Sequence, residues 1–347
     1  MNIDLLQALS NADAIASSEQ EVRDILITHA KQCNKPVSFD GLGSTLIRLN
    51  QSTGPKIMIC AHMDEVGFMV RNITREGAIE VIPIGNVRQL ARFMQPVRIT
   101  TQEGNKVHGL LDAELHGGES RNLYVDIGAT SSEEVNNSGV RIGDRVTYDS
   151  DFKILTPNSR IMGKAFDDRL GCYLLIELLH ALCDVALNAE IWLVASSSEE
   201  VGMRGGKTAA NIIKPDLALI LDTACWAKNF DYGAANHRQI GQGPMLVMYD
   251  KTMIPSPRLL GFIQDIALQH HIPLQTDMFS NGGTDGGNVH LCGRGIPTAV
   301  LGAPTRHGHC AASIADLRDL EQTQQLLIAL IKQLNSDSVQ HLTDFSH

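Results

Sequence analysis

Four apolar runs of this sequence are each followed by histidine or acid. Ile57-Met58-Ile59-Cys60-Ala61 runs into His62-Met63-Asp64, and Ile191-Trp192-Leu193-Val194-Ala195 leads through serines to Glu199-Glu200. Leu217-Ala218-Leu219-Ile220-Leu221 ends on Asp222, and Thr298-Ala299-Val300-Leu301 opens into a loop with His307 and His309. Asp167-Asp168 adds two carboxylates where a helical stretch begins. In open parallel sheets, sites form outside the carboxyl ends of the strands, so these groups are expected along one rim. Each alone has a plain explanation: an acid after a strand is usually a turn or helix-cap residue, and Glu199-Glu200 alone reads as an acidic first helical turn. Together they repel one another unless a cation sits among them. Imidazole and carboxylate donors suit Zn, Co or Mn. Two histidines and several acids also match a two-ion site, in which one carboxylate is shared by ions about 3.5–4 Å apart. The H-E-x-x-H pattern of single-zinc peptidases is absent.

The elements that must position these groups are legible in the apolar spacing. The runs at 55–61, 189–195, 217–221 and 297–301 are continuous, as strands buried on both faces are. Helical spacing fills 169–183, 207–213, 257–270 and 317–334 between and after them. Alternation of this kind predicts an α/β fold, a mostly parallel central sheet flanked by helices. An amphipathic helical segment covers 3–32, with Ser17, Ser18 and Glu21 marking a helix start near its middle. From about Gly67 to Ser159 the character changes. Short β-type runs at 68–73, 79–84, 97–101, 107–111 and 145–148 alternate with Gly, Asn, Asp and Pro, with one short helical stretch at 132–138. We therefore expect a catalytic α/β domain from 1–66 and 160–347, interrupted by a small β-barrel-like module at 67–159. Arg204-Gly205-Gly206 reads as a structural turn ahead of a helix. Gly282-Gly283-Thr284-Asp285 reads equally as a tight loop or as a close approach to a substrate backbone, and Asp285 stays outside the catalytic set.

The chain has 347 residues, 43% apolar and 20% charged, with a net charge of −10. That length suffices for a sizeable core, and the acidic balance argues against a nucleic-acid partner. No run of 18 apolar residues exists, so no transmembrane helix is expected, and the N-terminus lacks the form of a secretory signal. Seven scattered cysteines with no CxxC pair fit reduced thiols and a cytoplasmic location. Cys60, Cys172 and Cys225 lie in apolar runs and read as small core residues. His108, His116 and His237 have no partner pattern and read as surface or loop residues.

Four segments carry a resemblance. His62-Met63-Asp64-Glu65-Val66-Gly67, Ala165-Phe166-Asp167-Asp168-Arg169, Glu199-Glu200-Val201-Gly202-Met203-Arg204-Gly205 and Gly282-Gly283-Thr284-Asp285 resemble, in the same order, the signature segments of the glutamyl/deblocking aminopeptidases. These are the tetrahedral-shell (TET) peptidases. The likeness runs along nearly the whole chain.

The resemblance implies a dinuclear metal-dependent aminopeptidase acting on short peptides. It implies that His62 and Asp222 hold one divalent ion, Glu200 and His309 the other, and that Asp167 bridges them. Glu199 would be the general base, and Asp64 would orient the histidine of the first ion. The peptide after the bridging acid tends to be cis in these enzymes. The last ligand of the family lies in Arg-Tyr-x-His-Ser, where this chain has Arg306-His307-Gly308-His309-Cys310. His307 therefore stays open as a further ligand. The inserted module corresponds to a domain that pairs subunits, which implies a homo-oligomer of dimers built into a dodecamer. Three rival readings remain at this point. One is a related two-metal amidohydrolase, a deacylase or carboxypeptidase, on the same fold. Another is a glycosidase, which works with two opposed carboxylates and no metals. The third is a non-catalytic metal-binding or scaffold protein, against which Glu199 beside Glu200 argues.

Overall fold

The computed structural model describes residues 1–156, 159–225, 238–344 and 346. At its centre four strands lie parallel, in the spatial order Glu190–Ser196, Lys56–His62, Leu217–Cys225, Thr298–Arg306. These are the four apolar runs of the sequence. Side chains alternate across the sheet. In Lys56–His62, Ile57, Ile59 and Ala61 join the core on one face, while Met58 and Cys60 join the core on the other. The first face is covered by the helices Ile3–Asn11, Gln20–Gln32, Phe166–Leu182, Pro257–Gln269 and Leu317–Gln333, which supply Leu6, Val22, Leu174, Ile263 and Leu327. The second is covered by Arg204–Ile213 and the short helix Gly286–Val289, through Ala209, Ile213 and Val289.

The expected α/β architecture is present, and the structure adds detail to it. The parallel part of the sheet is its middle, and the flanking strands pair antiparallel, Thr45–Arg48 on one side and Ser313–Asp316 on the other. The helical segment at 3–32 is two helices separated near Ala12–Glu19, consistent with a helix start in its middle. The Arg204-Gly205-Gly206 turn is corrected: these residues form the first turn of the helix Arg204–Ile213. Glycine suits that position, because a Cβ on Gly205 would lie 2.4 Å from the Ser197 backbone.

The strands Gly67–Ile73, Ile79–Ile84, Gln95–Thr100, Lys106–His116, Glu119–Asp126 and Arg145–Tyr148 close into a six-stranded barrel. Closure leaves no unpaired edge in so short a module. Phe68, Val97, Ile99, Val125, Val146 and Tyr148 fill it. After Tyr148 the chain returns to the large sheet, where Lys153–Ile154 pairs with Arg160–Gly163.

Buried ion pairs join barrel to sheet. Asp13, fully buried, accepts hydrogen bonds from Arg98 Nε and one Arg98 terminal nitrogen at 2.7 Å each, from Lys106 at 2.6 Å and from Thr147 at 2.7 Å. Lys164, also buried, lies 3.1 Å from Asp13 and 2.7 Å from Glu65. Glu65 receives Arg169 at 2.9 Å as well. His108 and His116 are exposed on the barrel, as expected. His237 lies outside the described residues.

Candidate metal centre

The carboxyl ends of the four parallel strands open into one cleft of about 560 Å³. His62 is the last residue of its strand, and Asp222 lies towards the end of Leu217–Cys225. Glu199 and Glu200 occupy the loop between Glu190–Ser196 and the helix Arg204–Ile213, and His309 follows Thr298–Arg306. All five line the cleft, with Asp167 among them.

Asp167 stands in the middle. Its Oδ1 is 3.2 Å from His62 Nε2, and its Oδ2 is 3.3 Å from His309 Nε2. His309 Nε2 is also 3.5 Å from Glu200 Oε1. Two groups of donors result, each with its atoms within 4.8 Å of one another: His62, Asp167 and Asp222, and Asp167, Glu200 and His309. Asp167 belongs to both. Its neighbour Asp168 turns inward instead, accepting the backbone N–H of His62 at 3.1 Å and of Gly171 at 3.0 Å. The backbone is non-helical at both aspartates, before the helix proper begins, and the peptide between them is cis.

Both histidines are held by their other nitrogen. Nδ1 of His62 meets the Asp64 backbone oxygen at 3.0 Å, and Nδ1 of His309 meets the Asn86 backbone oxygen at 3.0 Å. Such outer contacts fix ring orientation in metal-binding histidines. The Asp64 carboxylate accepts the backbone N–H of Glu199 at 2.9 Å and of Glu200 at 3.0 Å. It thereby ties the loop of the two glutamates to the strand that carries His62. His307, in the His309 loop, belongs to neither donor group.

The electrostatics fit a cationic occupant. Burial works against charge on His62, yet the hydrogen bonds to Asp167 and Asp64 outweigh it and push its pKa well above the ordinary imidazole range. Burial likewise opposes charge on His309, but Glu200 and Asp167 raise it to about 10. Burial alone would raise Asp167; its bonds to His309 and His62 hold it far below the usual carboxylate range. Burial pushes Glu200 up to about 7, with His309 opposing. Burial also drives Glu199 well up, and the charges of Asp285, Asp222 and Glu200 add to it. Glu200 Oε1 is buried and accepts no hydrogen bond. A buried acceptor without a donor is costly, and a divalent cation would satisfy it. Oxygen and imidazole-nitrogen donors are the set that Zn, Co and Mn accept.

Two further residues act on the cleft, Asp285 from outside its lining and Arg88 from within it. Asp285 is buried, accepts the Ser196 hydroxyl at 2.5 Å, and raises Glu199 by its charge. Its Gly-Gly-Thr-Asp segment is legible in the sequence, but its burial against Ser196 has no spacing signature. Arg88 reaches the cleft from the barrel module, and its guanidinium lies 3.5 Å from Cys225 Sγ. Cys225 is therefore corrected from core residue to half-buried cleft wall, whereas Cys60 and Cys172 are buried as expected.

Known proteins resemble this chain along nearly its whole length. Residues 43–326 match the model of the M42 glutamyl aminopeptidase family. The glutamyl aminopeptidase of Lactococcus lactis subsp. cremoris is 31% identical, with 99% of each chain covered. The TET aminopeptidase of a marine sediment Thaumarchaeota archaeon superposes with a TM-score of 0.94 at 34% identity, over 98% of this chain and 99% of that one. The TET1 peptidase of Pyrococcus horikoshii gives a TM-score of 0.84 at 26% identity, over 96% and 99%, and can assemble into a tetrahedron or a large octahedral shell.

Proposed function

This chain belongs to the M42 glutamyl aminopeptidase family and is an aminopeptidase, and from that premise we propose that it removes N-terminal residues from short peptides with two divalent metal ions and a glutamate base. His62, Asp167 and Asp222 would hold one ion, and Asp167, Glu200 and His309 the other. The observation that carries this reading is the membership of Asp167 in both donor groups. When bound, the ions supply Lewis acidity to the scissile carbonyl and lower the pKa of a water molecule.

The remaining steps belong to the chain's own residues. A carboxylate oxygen of Glu199 receives the proton of the attacking water and passes it to the leaving amine. Its burial, 9% exposed, and the acids around it favour uptake of that proton. Asp64 holds Glu199 and Glu200 in position through their backbone N–H groups. Carboxylates at the rim of the cleft would bind the free amino group of the substrate.

The barrel module is proposed as the subunit-pairing domain of a homo-oligomer. Leu90, Met94 and Leu115 stand 86%, 65% and 66% exposed on it, and apolar exposure of this kind suits a partner surface. The structure of a similar protein, PhTET1-12s, has a dodecamer in the asymmetric unit, and the same assembly is proposed here. Among the described residues no helix is long and apolar enough to cross a membrane, and a cytoplasmic location is proposed. Hydrolysis of a panel of aminoacyl anilides, compared with N-acyl amino acids, tests the reaction. Cleavage of substrates with a free amine, abolished by chelation, is expected. Preference for N-acyl substrates would assign the site to an amidohydrolase instead, and activity that survives chelation would overturn the metal-dependent reading.

A further inference from the structure

The helix that begins beside the cleft ends at a second cluster of metal-type donors. From Asp168 to His180 it spans roughly 18 Å, at about 1.5 Å per residue, so this cluster lies far from the donors around Asp167. His180 and Cys183 sit at its carboxyl end, three residues apart. His29 and Cys33 sit at the end of the helix Gln20–Gln32, four residues apart. Both spacings put the pair on one helical face, and the two faces meet. His29 Nδ1 is 2.8 Å from His180 Nε2, and the rings stand edge to face with centroids 5.1 Å apart. The other nitrogen of His180, Nδ1, is 3.4 Å from Cys33 Sγ. Cys183 Sγ lies 3.7 Å from the Asp184 carboxylate and 3.7 Å from the His180 backbone oxygen.

Nothing in the peptidase reading uses these groups. The chain has no CxxC, so the cluster exists only through the packing of two helices. Its chemistry differs from that of the cleft: thiolate sulfur with imidazole nitrogen is the donor set of zinc and other borderline-soft ions. His180 has the posture of a ligand histidine, one nitrogen toward a thiol and the other bonded to a partner that fixes the ring. The donors of this cluster stand wider apart than those of the cleft. Side-chain rotation, with Cys183 Sγ turning from the His180 carbonyl it now contacts, would be needed to draw the donors together. The site is also open to entry, because Cys33 and Cys183 are half-buried and His180 is exposed.

We propose that Cys33, Cys183 and His180 Nδ1 bind a zinc-type divalent ion, with His29 orienting His180 and Asp184 offering a fourth, oxygen donor. Burial and the neighbouring Cys183 push the Cys33 thiol up to about 11. Metal–thiolate bonds form with release of the thiol protons to solvent. The ion would staple the Gln20–Gln32 helix to the Phe166–Leu182 helix.

The test compares the full-length chain with its Cys33→Ser/Cys183→Ser variant after loading with Zn2+ and desalting. One more ion per chain is expected in the wild type, with aminoacyl anilide turnover the same in both. Loading with Co2+ should give intense near-ultraviolet thiolate-to-cobalt absorption in the wild type alone, a signature that oxygen and nitrogen sites do not produce. A His29→Ala variant should keep that absorption but lose the ion about 10- to 100-fold more readily to a chelator. Equal metal content and equal cobalt spectra in wild type and double variant would overturn the proposal, whether or not the wild type holds a Cys33–Cys183 disulfide. Because the comparison is a difference between two chains that share the cleft donors, it stands or falls apart from the proposed peptidase mechanism.

Discussion

His62 meets Asp64 through the backbone, its Nδ1 lying 3.0 Å from the Asp64 carbonyl oxygen, and this leaves Nε2 to face Asp167. The same residue anchors Glu199 and Glu200 with its side chain. Asp64 is thus the joint between two strands' contributions to one cleft. Replacing Asp64 with Ala keeps the carbonyl but frees the glutamate loop. Metal affinity and turnover should fall about 10- to 100-fold, the usual cost of removing an outer-shell partner. Metal retention on dialysis and anilide hydrolysis would report it. Unchanged values in both would show that the loop is positioned by other means.

Glu199→Gln would separate the proposed base from the proposed ligands. The amide keeps the shape but takes up no proton. Turnover should drop by roughly a hundred- to ten-thousand-fold, with bound metal at the wild-type level. Wild-type turnover by this variant would remove Glu199 from the mechanism, and loss of metal would make it a ligand.

Asp13→Asn tests what fastens the barrel to the sheet. The carboxylate is fully buried, with Arg98, Lys106 and Lys164 around it. Removing one partner of a buried ion pair costs about 3–5 kcal/mol. Tm should fall by about 4–7 °C. A melting curve that overlays the wild type would show that the network contributes nothing net.

The same residue gives a pH dependence. Burial would raise Asp13, but Lys164, Arg98 and Lys106 outweigh it and hold the carboxyl well below its ordinary value. A depressed folded pKa stabilises above the unfolded value, near 4, and that stability is lost as pH falls toward the folded value. The difference in urea midpoint between wild type and Asp13→Asn should therefore be full at neutral pH and shrink below about pH 4. A difference that stayed constant down to about pH 3 would contradict the assignment.

How far the sequence reaches is clear from individual residues. The runs before His62, Glu199 and Asp222 were legible because buried parallel strands are continuously apolar, and residues that end them fall on one rim. The barrel was legible as a change of period. The division of labour between Asp167 and Asp168 rested on resemblance alone, since adjacent carboxylates have identical composition and differ only in where the backbone turns them. Arg88 is not legible because it reaches the cleft from the inserted module by tertiary packing, and the burial of Asp285 against the Ser196 hydroxyl has no spacing signature either. The His29–Cys33 and His180–Cys183 pairs, far apart in the chain, meet only because two helices pack side by side.

In the proposed mechanism one carboxylate, Asp167, is shared by two metal ions. Anomalous diffraction from crystals of the zinc-loaded, active enzyme tests it most directly. Two peaks are predicted, one between Asp167 and the pair His62 and Asp222, the other between Asp167 and the pair Glu200 and His309. A single peak, or none within reach of Asp167 in protein that hydrolyses aminoacyl anilides, would contradict the account.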